Sequence, residues 1–74
     1  STLVQVSAAA TSVDARVSTA TRLEDSGDYA GAKAVLAPAL DELERAGRKL
    51  DLAAAESQFG WLEYRLGALE SALS

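Results

Sequence analysis

The 74-residue chain contains no cysteine, no histidine and no methionine, and it has a single proline. Without cysteine there can be no disulfide, thiolate nucleophile or zinc–thiolate cluster, and the redox compartment is not indicated. Without histidine the commonest general base and the commonest transition-metal ligand are gone. Serine and threonine are plentiful, but the only bases left to activate one are carboxylates or Lys33 and Lys49, and no local arrangement joins them. Phosphate loops are missing too, because Gly27 and Gly31 stand without the Lys-Ser/Thr sequel. The chain is therefore expected to be no enzyme and to carry no cofactor.

Basic residues are outnumbered. Seven Lys and Arg against eleven Asp and Glu give a net charge of −4, a field that repels nucleic-acid backbones and anionic membrane surfaces. No apolar run approaches the ~18 residues of a membrane span, and no basic-then-apolar leader opens the chain. Neither nucleic acid nor membrane is an expected partner. The missing initiator methionine fits either a mature product or an excised piece of something longer.

What the chain does have is sixteen alanines and eleven leucines, with only 5% aromatics. Such a composition favours helices that approach through small side chains, whereas a sheet would want more Val, Ile, Thr and Tyr. At this length the whole chain, residues 1–74, reads as one all-α domain with a small core.

Apolar spacing by threes and fours places the helices at about 2–25, 29–46 and 52–72. The first runs through Leu3, Val6, Ala10, Val13, Val17, Ala20 and Leu23. Its many Ser, Thr and Val residues give weak intrinsic support, so its first turns should fray. Gly27 is a candidate left-handed C-cap, and Asp28 can cap the second helix. That helix should bury Tyr29, Ala32, Leu36, Ala39 or Leu40, and Leu43, with Asp41–Arg45 and Glu44–Arg48 as outer i,i+4 pairs. Pro38 removes one backbone hydrogen bond inside it, which predicts a kink near Val35 to Ala37. Gly47 ends it and Asp51 is the candidate cap of the third. With both connections short, successive helices must be antiparallel, giving an up-down-up three-helix bundle.

The third helix carries the longest stripe, Leu52, Ala55, Phe59, Leu62, Leu66, Leu69 and Leu73. Its opposite face reads Ala53, Ser57, Gly60, Tyr64, Gly67 and Ser71. Gly60 and Gly67 each cost ~1 kcal/mol against alanine in a helix, so a compensating close contact is expected there. Trp61 and Tyr64 fall off the apolar stripe, where large aromatics serve as contact anchors. The alternative is that Trp61 seals an edge of the bundle against the first or second helix, and that Tyr64 packs between helices. Glu24, Asp25 and Asp28 gather near one turn, but the alternating ligand spacing of a calcium loop is absent, so they read as capping groups and no metal is expected.

From Ala20 onward, Leu23, Gly27-Asp28-Tyr29, Ala32, Leu36 and Ala39 resemble the turn and second helix of a tetratricopeptide repeat. Forty residues later, Phe59-Gly60, Leu62, Gly67, Leu69 and Ala72 follow the same order, against an ordinary period of 34. The resemblance implies about one and a half helical repeats from Val13 to Ser74. It also implies a peptide-binding groove lined by the exposed side of each first helix, on which Ala54, Ser57, Trp61 and Tyr64 fall. A plain three-helix bundle in which Gly27 is only a turn is the alternative architecture. Both lead to a non-catalytic module that binds a protein or peptide around Trp61, Tyr64, Ser57 and Ala54, with self-assembly into a homo-oligomer as the alternative.

Overall fold

The computed structural model describes residues 2–73, with side chains from Val13 onward. It is an all-α three-helix bundle: α1 is Thr2–Asp25, α2 is Tyr29–Arg45 and α3 is Lys49–Leu73, with no strand among the described residues. The stripe positions Leu3, Val6 and Ala10, and the fraying expected there, lie outside the described side chains.

The same device closes both connections. Gly27 and Gly47 take φ of +90° and +70°, which glycine adopts without a Cβ penalty. The amides of Gly27 and Asp28 then donate to the carbonyls of Glu24 and Leu23, and those of Gly47 and Arg48 donate to Glu44 and Leu43. This paired pattern is a Schellman motif, and it satisfies carbonyls that the ends of α1 and α2 would otherwise leave bare. Asp28 caps α2 by accepting from the Gly31 amide at 3.0 Å. A Cβ on Gly31 would press on that carboxylate, so a larger residue there would require the Asp28 side chain to shift.

The start of α3 differs from the sequence expectation. The helix begins at Lys49, three residues early, so Asp51 stands inside the first turn instead of capping it. Its carboxylate is held by Arg48 Nε at 2.9 Å, and Arg48 Nη2 reaches Asp14 on α1 at the same distance. Arg48 therefore turns away from the expected i,i+4 partner Glu44, whereas Asp41–Arg45 forms at 2.8 Å.

α2 lies between the other two helices. It supplies Ala32, Leu36, Ala39 and Leu43 to a core completed by Val13 and Ala20 from α1 and Ala55 and Leu62 from α3. Half of these residues are alanine, so the helices approach closely and each buried leucine carries a large share of the apolar burial. Arg16 pairs with Glu42 across α1 and α2. Lys33 meets Glu63 at 3.5 Å and Tyr29 meets Arg65 at 3.1 Å across α2 and α3. Ascent along one helix matches descent along the next, as antiparallel packing requires. α2 continues unbroken through Pro38, whose ring is on the exposed side.

The long stripe of α3 is buried only in part. Ala55 and Leu62 are enclosed and Leu52, Phe59 and Leu66 are half-buried, but Leu69 is 45% and Leu73 88% exposed. The cause is a difference in length, 17 residues in α2 against 25 in α3. Tyr29, the first residue of α2, is level with Arg65, so α3 overhangs beyond that point.

Candidate functional site

Trp61 and Tyr64 are three residues apart on α3 and so share a surface. Their rings stack with centroids 5.7 Å apart and planes inclined by 20°, the offset arrangement aromatic quadrupoles favour. Trp61 remains 50% exposed and Tyr64 63%. One turn on, the Arg65 guanidinium stands 5.5 Å from the Trp61 ring centre and 5.2 Å from that of Tyr29. Arg65 Nη2 also donates to the Tyr29 hydroxyl. Cation–π attraction on both sides, and that hydrogen bond, fix the aromatic pair relative to the start of α2. Trp61 thus touches the bundle's edge through Arg65 while half its surface stays open.

The other two residues named from sequence lie elsewhere on this side of α3. Ala54 lines a groove of about 270 Å³ between α1 and α3, with Leu43 beneath and Val17, Ser18 and Gln58 among its walls. Ser57 is exposed and does not line it. Gln58 bridges the two walls by donating to Thr21 Oγ1 at 3.2 Å and Glu24 Oε2 at 3.4 Å. At the other end, Arg48 ties Asp14 to Asp51, and the hydrogen bonds to Asp14 first and Asp51 second raise its pKa against the opposing effect of desolvation. The structure therefore joins Trp61 to Tyr64 and leaves Ala54 and Ser57 as separate positions along the helix.

The close contact expected at the small-residue face is not made among the described residues. Apart from the helix's own neighbouring backbone, no described atom lies within 4 Å of where a Cβ would stand on Gly60 or Gly67. Among the carboxylates near the first turn, Glu24 accepts from Gln58 and Asp28 caps α2. The described residues hold no group of three or more potential metal ligands.

Sequence reasoning missed Arg65 and Tyr29 as parts of the site. Arg65 stands four residues after Trp61, a spacing that signals a shared helix face. Tyr29 gave no such signal, because its approach depends on how α2 meets α3. Comparison with known proteins gave no family model, curated protein or solved structure that matches this chain.

Proposed function

We infer that the chain is a non-catalytic protein–protein interaction module that presents α3, around Trp61 and Tyr64, to a partner protein or peptide. The observation that carries this reading is the stacked, largely exposed aromatic pair. Large rings held in fixed geometry offer much contact area at little cost in side-chain entropy, as interface anchors do. The lack of histidine and cysteine supports the non-catalytic part. A tetratricopeptide-like architecture is part of the proposal. Its support is the Gly27 turn, the cap at Asp28, and the burial of Ala32, Leu36 and Ala39 at the positions that repeat uses for interlocking helices.

The test is capture of a partner on the immobilised chain, followed by binding measurements with the purified partner and the double variant Trp61→Ala/Tyr64→Ala. The reading expects affinity to fall roughly tenfold or more with helicity intact. Unchanged affinity with intact helicity would remove it.

A further inference from the structure

α1 and α3 each pack on α2 and leave between them the groove of about 270 Å³ that has Leu43 at its base. We propose that this groove takes one long basic side chain, a lysine or an arginine, of the partner protein. The aliphatic stem lies along Val17, Leu43, Ala54 and Ala55, and the charged end reaches Asp14 and Asp51. The proposal rests on the reading of this side of α3 as a contact surface and names the chemistry of what it meets.

The dimensions suit a single side chain. Sites for drug-sized ligands run from roughly 300 to 1,000 Å³, and this groove is smaller. Its two walls are tied at both ends. Arg48 joins Asp51 to Asp14 at 2.9 Å on each side, and Gln58 on α3 joins Thr21 and Glu24 on α1 at 3.2 and 3.4 Å. A cleft held open in advance asks little further ordering of its ligand.

The polar lining calls for a donor that carries one positive charge. A carboxylate only accepts, so Glu24 fixes the Gln58 amide with its nitrogen across the groove, and that nitrogen's two hydrogens go to Thr21 and Glu24. Thr21 uses its own proton on the Val17 carbonyl at 3.1 Å. Nε and Nη2 of Arg48 are taken by the two aspartates. Acceptors are left over: the Gln58 carbonyl oxygen, and on Asp14 and Asp51 the carboxylate oxygens that these bonds do not engage. Two carboxylates against one guanidinium also leave one negative charge at that end, on side chains 62% and 58% exposed. A hard metal cation would want more oxygens than this pair supplies. The rest of the lining is carbon, from Val17, Leu43, Ala54 and Ala55. Lysine and arginine match both parts, because each carries an apolar stem behind a cationic head.

The groove is in line with the aromatic pair. Ala54, Gln58 and Trp61 follow one another by steps of four and three down one flank of α3. Trp61 is about 10 Å along the helix axis from Ala54, a span that three residues of an extended segment cover. A segment with an apolar residue on Trp61 therefore sets a basic residue three positions away into the groove.

The probe is the peptide acetyl-Lys-Ala-Ala-Leu-amide, titrated at millimolar concentration into isotope-labelled chain and followed by amide NMR shifts, beside the same peptide with norleucine for lysine. The lysine peptide should give saturable shifts at Val17, Ser18, Ala54, Ala55 and the Gln58 side-chain amide. It should bind roughly tenfold more tightly than the norleucine peptide, and added salt should weaken it. Ala54→Leu, which keeps the charge and favours the helix but fills the groove, should raise Kd roughly tenfold or more with helicity unchanged. Three results would overturn the proposal: no saturable shift in the groove, a norleucine peptide that binds as tightly, or an Ala54→Leu chain that binds as well as the native. Shifts confined to Trp61 and Tyr64, alike for both peptides, would overturn it too and leave the contact-surface reading standing.

Discussion

Trp61 and Tyr64 lie face to face on the outside of α3, 5.7 Å between ring centres, with at least half of each residue open to solvent. Their removal should affect binding far more than folding. Trp61→Ala/Tyr64→Ala is expected to lower unfolding free energy by about 1 kcal/mol or less, compared with ~3–5 kcal/mol for truncating a buried aromatic. Urea denaturation followed by circular dichroism at low concentration measures this. A loss in the buried-aromatic range would mean that Trp61 seals the bundle.

Gly60 and Gly67 make no close contact with other elements among the described residues, which leaves their helix-propensity cost without compensation there. Replacing either by alanine should stabilise the dilute monomer by roughly 1 kcal/mol. The same urea titration reports the sign, and destabilisation would reveal packing against those glycines.

Pro38 sits inside α2 with its ring exposed, where it removes a backbone donor and contributes nothing to the core. Pro38→Ala should therefore stabilise the fold, by as much as about 3 kcal/mol. A thermal melt that shows a raised midpoint bears this out, and a lowered one contradicts it.

Leu36 is, among the described residues, one of three large side chains with essentially no exposure, and it lies in the middle helix. Leu36→Ala should cost ~2–5 kcal/mol. That is a large fraction of what a chain this size holds at roughly 0.05–0.15 kcal/mol per residue. Loss of a cooperative unfolding transition or a sharply lowered midpoint is the expected outcome.

Much of the fold was legible because period and punctuation act locally. Spacing by threes and fours marked Ala32, Leu36 and Leu43 as core, and the glycines at 27 and 47 marked the turns, since a left-handed residue is a purely local requirement. Features that depend on two elements meeting were not legible. Periodicity identifies the apolar face of α3, but it does not show that α2 is too short to cover Leu69 and Leu73. Arg48 reads as a partner for Glu44 until α1 brings Asp14 within reach, 34 residues away in sequence. At the candidate site, helical spacing placed Trp61 and Tyr64 off the core stripe. Their link through Arg65 to Tyr29 needed the packing of α2 on α3.

Solute quenching of Trp61 fluorescence tests the central claim most directly, because this is the only tryptophan in the chain. The account predicts ready quenching in dilute solution and progressive shielding as the surface is covered by a captured partner. A Trp61 already shielded in the dilute chain, or equally open in every bound state, would contradict it.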